Sequence, residues 1–150
     1  MRRDRFVPSG RAFTRSVPIR FSHCDAAGIV YFPHYFDMFN GLIEDWYEQE
    51  LGHNYAELVM ESQYGFPIVH IECDFKIPSL MGEFIYLTLL VESVGRSLLG
   101  IGIVCHSDGL ERLRAHMVTA MMSLKTRKPV RLPKALRDSI ESYRERTSEG

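Results

Sequence analysis

Residues 33–51 read PHYFDMFNGLIEDWYEQEL, and this stretch decides the fold. Its apolar residues recur every three or four positions: Tyr35, Phe36, Met38, Phe39, Leu42, Ile43, Trp46, Tyr47 and Leu51. That spacing makes one wide face of an α-helix. Pro33 suits the first helical turn, where its missing N–H costs nothing, and Gly52 suits the stop. Asp37, Glu44, Asp45 and Glu48 fall on the opposite side. A helix so rich in aromatics is expected to pack into a core over most of its circumference.

The elements that must supply that core lie on either side. Upstream, Val17, Ile19 and Phe21 alternate in a short strand over 15–22, and residues 23–32 form a loop. Downstream, a short helix is expected over 55–62. Val69, Ile71, Cys73, Phe75 and Ile77 then share one face of a strand, with His70, Glu72, Asp74 and Lys76 on the other. Pro78 and Gly82 mark a turn. Three strands follow at hairpin distances, 83–93, 97–106 and 112–125, turning at Gly95–Arg96 and at Ser107-Asp108-Gly109. Pro129 and Pro133 break the chain before a charged helix over 134–146, with Leu136, Ile140 and Tyr143 on one side. Residues 1–14 carry arginines around Pro8, Ser9 and Gly10 and read as a flexible arm, leaving 15–150 as a single domain.

One long helix among antiparallel strands poses a burial problem. A flat sheet covers only one side of it. A strongly curved sheet wrapped around the helix covers more, and its edges and outer face then call for a second copy of the chain.

Composition narrows the function. The 150 residues are 45% hydrophobic and 25% charged, with a net charge of −1. That balance is soluble and globular and argues against a general nucleic-acid binder. The neutrality arises by cancellation: residues 1–20 carry +5, 21–62 carry −8, 63–92 carry −3 and 93–150 carry +5. A local basic site for an anionic ligand therefore remains open. No apolar run reaches the roughly 18–20 residues of a membrane span, and no secretory signal is expected behind Arg2, Arg3 and Arg5. Cys24, Cys73 and Cys105 are widely spaced with no CxxC pair, which fits a reducing, cytoplasmic setting, with Cys73 and Cys105 as core residues.

Chemistry concentrates in residues 21–39. Asp25 sits in a loop between a strand and the start of the long helix. Free N–H groups at a helix N-terminus can hold an anion or a developing oxyanion. A carboxylate beside them can attack a carbonyl or activate a water. Gly28 would let the backbone approach a ligand closely. Asp25 equally suits a plain turn cap. His34, in the first helical turn, reads as an exposed helix-start histidine. His70, Glu72 and Asp74 share a strand face without the pattern of a metal site. Gly100 and Gly102 lie within a strand and mark curvature or a bulge. Lys125, Arg127 and Lys128 form a basic turn. No Gly-x-Ser-x-Gly elbow of a serine hydrolase occurs.

The run Asp25-Ala26-Ala27-Gly28-Ile29-Val30-Tyr31-Phe32-Pro33, followed by Tyr35 and Phe36, resembles the signature of hotdog-fold acyl-CoA thioesterases. It is most similar to the 4-hydroxybenzoyl-CoA thioesterase type, and the likeness in element order extends from about residue 15 to 127. The resemblance implies a hotdog fold of the α+β class, a curved antiparallel sheet around a central helix, assembled as a homodimer or homotetramer. It implies hydrolysis of an acyl-CoA thioester with no metal or organic cofactor. Asp25 takes the place of the catalytic nucleophile or general base, and the Phe32 backbone N–H that of the oxyanion donor. Gly28 and Tyr31, within the motif, and Asn40, two helical turns on, fall at substrate-binding positions. Arg96 and Ser97 match the region that meets the CoA phosphates, where Arg forms strong charge-assisted bonds.

Three departures from the pattern stand out. His23 replaces a frequent acid, Ala26 replaces Pro, and Phe32 stands where short-chain acyl-CoA thioesterases have His. Without that His the chemistry falls to Asp25. Asn40 replaces an acid that recognises a substrate hydroxyl in the 4-hydroxybenzoyl subgroup. The expected acyl group is aryl or medium-length, with Tyr35, Phe36 and Phe39 as its lining or as plain core. The alternatives are a hotdog dehydratase or hydratase acting on acyl-CoA or acyl carrier protein, whose usual His motif is not apparent here, and a non-catalytic acyl-CoA-binding protein.

Overall fold

The computed structural model describes residues 3–148 of the chain. Strands β1 (Thr14–Pro18), β3 (Ile68–Phe75), β4 (Phe84–Val94), β5 (Leu98–Ser107) and β6 (Leu110–Ala120) form one antiparallel sheet in the order β1-β4-β5-β6-β3. Helix α1 (Pro33–Gln49) lies against its inner face. Helix α2 (Tyr55–Met60) follows, and a two-residue strand β2 (Tyr64–Gly65) pairs with β7 (Met122–Ser123). Helix α3 (Lys134–Thr147) ends the fold. This is the hotdog arrangement expected from the sequence.

The core is the inner face of the sheet closed onto α1. Ile85, Leu87 and Leu89 of β4, Leu99, Ile101 and Ile103 of β5, and Leu113 and Met117 of β6 are fully buried. They meet Tyr35, Phe39, Leu42, Ile43, Trp46 and Tyr47 of α1. The helix is less enclosed than its aromatics led us to expect. Asp37, Asn40, Gly41, Glu44 and Glu48 leave a stripe open to solvent. Opposite Gly100 the β4–β5 register shifts between Val91 and Ser93, so the glycines do mark a bulge. A Cβ on Gly100 would lie 2.3 Å from the Ser93 hydroxyl oxygen, so any side chain there would force Ser93 to shift.

Several boundaries move. The first strand stops at Pro18 and gives way to a single 3₁₀ turn, Phe21–His23. The expected 112–125 strand starts earlier, at Leu110, and divides at Met121. The β5–β6 turn is the tight one that Ser107-Asp108-Gly109 announced, with Asp108 and Gly109 both at positive φ. Val69, Ile71 and Phe75, which alternation groups on one apolar face, are 57%, 38% and 53% exposed. The reason is position: β3 is the edge of the sheet, and no strand covers its far side. Cys105 is buried, whereas Cys73, on that same edge, is only half-buried.

The other edge is shared between β1 and α3. β1 pairs with β4 only as far as Thr88, and α3 takes over beyond it. The Tyr143 hydroxyl donates to the Leu89 carbonyl (2.6 Å) and accepts the Phe13 N–H (2.8 Å). Leu136, Ile140 and Tyr143 are the buried side of α3, as expected. The N-terminal segment is not the loose arm its composition indicated. Arg5 pairs with Leu110, the Phe6 N–H donates to the Gly109 carbonyl (2.9 Å), and Phe13 is buried. Among the described residues, no helix is long and apolar enough to cross a membrane.

Candidate active site

The loop from His23 to Phe32 is built by its own hydrogen bonds. The Asp25 N–H donates to the Ile29 carbonyl (3.0 Å) and the Gly28 N–H to the Asp25 carbonyl (3.0 Å). The Tyr31 N–H closes the loop onto the His23 carbonyl (2.9 Å). Gly28 sits at φ +76°, a backbone shape that strains any side chain, so its glycine is explained by the turn itself. The loop is pinned to the turn before β4 by bonds from Val30 N–H to the Ser79 carbonyl and from Met81 N–H to the Gly28 carbonyl. Asp25 is exposed, and one carboxylate oxygen accepts the Ala27 N–H at 2.9 Å. The turn-capping role is therefore present. It leaves the second carboxylate oxygen outward.

Phe32 is the residue at which the loop becomes α1. Pro33 has no N–H, and the His34 and Tyr35 amides bond back to Tyr31 and Phe32. The Phe32 N–H finds no acceptor among the described residues. It is the free donor at the positive end of a 17-residue helix. The Phe32 ring meets Phe36 (6.4 Å between centroids) and Phe75 of β3 (6.3 Å). Phe75 also meets Tyr35 (6.1 Å). Phe32, Tyr35 and Phe75 wall a cavity of about 200 Å³, completed by Val30, Lys76, Pro78 and Arg112 among others.

Arg112 was not foreseen. Its guanidinium, 8% exposed, holds both Glu83 oxygens (2.9 and 3.1 Å) and the Ser79 hydroxyl (3.2 Å). This pairing pulls the Glu83 carboxyl below its ordinary range and raises the guanidinium. Burial pushes the Tyr35 hydroxyl up to about 12, against the opposing pull of its hydrogen bond with Ser79. Tyr35 is thus a neutral donor at the cavity wall. Burial, with the neighbouring His34 next, lowers the His23 imidazole. No local signal in the sequence pairs Glu83 with Arg112; Glu83 directly precedes β4 and Arg112 lies near the start of β6, the strands on either side of β5.

The remaining sequence candidates lie elsewhere. Asn40 lines a separate cavity of about 250 Å³ with Glu44, Tyr55 and Thr119. Arg96 is at the other end of the sheet. Phe75 faces Leu113, Leu113 faces Cys105, and Cys105 faces Leu87. From Leu87 to Val94 of β4 is about 23 Å at the usual rise of a strand. There Arg96 shares a groove of about 600 Å³ with Arg131, Lys134 and Arg137. Arg137 donates to the Gly95 carbonyl, and the Leu132 N–H to the Arg96 carbonyl (2.9 Å). Ser97 is half-buried beside it. The three bases from the α3 side were missed, although the excess of +5 after residue 93 was their signal. Lys125, Arg127 and Lys128 stay in an exposed turn outside this groove.

With the loop, the helix start and the fold in view, the match to known proteins is specific. The pattern of the thioesterase-like superfamily covers residues 19–140. The chain belongs to this superfamily. It is 31% identical over 87 residues to a 1,4-dihydroxy-2-naphthoyl-CoA hydrolase of Nostoc punctiforme, a match spanning 56% of each chain. A solved 1,4-dihydroxy-2-naphthoyl-CoA thioesterase from Synechocystis superposes with a TM-score of 0.77 at 21% identity, over 86% of this chain and 95% of that one. A Staphylococcus aureus protein solved in complex with CoA superposes at 0.84 with 14% identity, over 97% and 90%. The thioester hydrolase expected from the sequence holds at the level of this superfamily.

Proposed function

We propose that the protein hydrolyses an aryl- or medium-chain acyl-CoA to the free acid and CoA. The observation that carries this reading is the free Phe32 N–H at the head of α1, next to an aromatic-walled cavity and one loop away from the Asp25 carboxylate. The thioester carbonyl oxygen accepts from that N–H, and the helix dipole stabilises the charge that develops on it. Asp25 then acts in one of two ways. As nucleophile it forms an acyl anhydride, expels the CoA thiolate, and is freed by water. As general base it takes a proton from the water that adds to the carbonyl. Either route consumes one water and yields acid and CoA. Gly28 and Tyr31 hold the loop against the substrate, and Asn40, in its separate cavity, takes no part in this reading. Arg96 and Ser97, with Arg131, Lys134 and Arg137, meet the phosphates.

The loop and the basic groove lie at opposite ends of the sheet in one chain. The open β3 edge offers the solution. Two copies pairing β3 antiparallel about a two-fold axis place the groove of one beside the loop of the other and cover Val69, Ile71 and Phe75. The functional unit is thus a homodimer, alone or within a tetramer. Three free cysteines suit the cytoplasm. A panel of acyl-CoA and acyl carrier protein esters, scored by thiol release, tests the reading. Release from CoA esters with a preference for aryl or medium acyl groups supports it. Saturable binding without release, or enoyl-CoA hydration in its place, refutes it.

A further inference from the structure

We propose that the N-terminal segment is part of the active site's construction: Asp4, acting through Lys76, positions Phe75 at the wall of the acyl cavity. The inference rests on the acyl-CoA reading above for its kinetic consequence but not for its structural one.

Phe75 is the last residue of β3, and successive side chains of a strand point to opposite faces. Phe75 points inward, to Phe32 and Tyr35. Lys76 points outward, where its side chain is only 8% exposed. Its ammonium donates to Asp4 (2.8 Å) and to Glu111, itself 3% exposed and shared with Arg114. The two carboxylates balance the two cations, as burial of an ammonium requires.

The backbone alone holds this point weakly. The Lys76 and Ile77 N–H groups both donate to the single carbonyl of Arg112 (2.9 and 3.0 Å), so the ladder ends here. The side-chain tether supplies what the ladder does not. Asp4 is in turn delivered by a fixed segment. Its carbonyl accepts the Glu111 N–H (2.7 Å), and the Phe6 ring lies between His106 (5.0 Å) and the Arg114 guanidinium (5.6 Å). One peptide link therefore separates the arm's anchor from an aromatic ring of the site. Asp4 touches no reacting atom. It is a positioning residue, and its loss should loosen the seat of the acyl group while leaving Asp25 and the Phe32 N–H in place.

The full-length chain carrying Asp4→Asn or Asp4→Glu tests this. In Asp4→Asn, KM for the best acyl-CoA should rise about three- to tenfold with kcat within about twofold. Amide hydrogen exchange over residues 75–77 should quicken without any substrate present. Asp4→Glu should restore both. Should Asp4→Asn fail to fold, Lys76→Met cuts the same tether while keeping the side chain's bulk, and is read by the quickened exchange over 75–77 alone, since Lys76 itself borders the cavity. Unchanged exchange over 75–77, an unchanged KM, or an Asp4→Glu as impaired as Asp4→Asn overturns the proposal. A wild-type chain that releases no thiol sinks the acyl-CoA reading instead, and the exchange result still decides the role of Asp4.

Discussion

Arg112 shows what a single side chain does at this site. It is a buried cation whose partners, Glu83 and Ser79, belong to the turn that pins the Asp25 loop. Arg112→Ala removes the cation and strands a partly buried carboxylate. We expect a loss of about 1–3 kcal/mol in urea unfolding. The pH dependence carries a sign that checks the cause. Glu83 has a folded-state pKa below its ordinary 4.5, chiefly through its bonds to Arg112. Its contribution is therefore complete above that value and fades as pH falls through the folded-state value. In Arg112→Ala this acid loss should be smaller than in the wild type. An equally steep acid loss in both would remove Arg112 as its source.

At the scale of elements, the two edges of the sheet are treated differently, and the difference sets what each can do. The β4 edge is capped by α3, whose Tyr143 hydroxyl makes two buried bonds to main chain. Tyr143→Phe keeps the ring but leaves the Leu89 carbonyl and the Phe13 N–H unpaired. It should cost about 1–3 kcal/mol, read by thermal or urea unfolding. A variant as stable as the wild type would show that water replaces the hydroxyl. The β3 edge is left open. Alternation along 69–77 located this strand correctly, because period two survives at an edge. It did not say that the apolar side lacks a partner in the same chain, since burial depends on what lies beyond the strand. The long helix was legible to within two residues at its end, because the periodicity of 33–49 is strong. The two-residue ladder of Tyr64–Gly65 with Met122–Ser123 was not, being too short to show any period.

Across the whole molecule, the charge segregation of the sequence becomes a separation of about 23 Å between loop and groove. The motif from Asp25 to Pro33 made the candidate loop legible, since its residues are adjacent in the chain. The groove was half legible: Arg96 follows a turn that the sequence marks, whereas Arg131, Lys134 and Arg137 join it only through the docking of α3. The proposed division of the site between two copies makes a prediction no single chain can meet. Asp25→Asn and Arg96→Glu/Arg131→Glu should each be inactive alone. Mixed dimers carry one intact site, so a random mixture should recover up to about a quarter of wild-type turnover. No recovery from verified mixed dimers would place loop and groove in the site of a single chain. The central claim is simpler and rests on Asp25. Thiol release from the best acyl-CoA by Asp25→Asn, whose fold should be intact, is predicted to fall by about 10²–10⁴-fold. Near wild-type turnover by that variant would contradict the account.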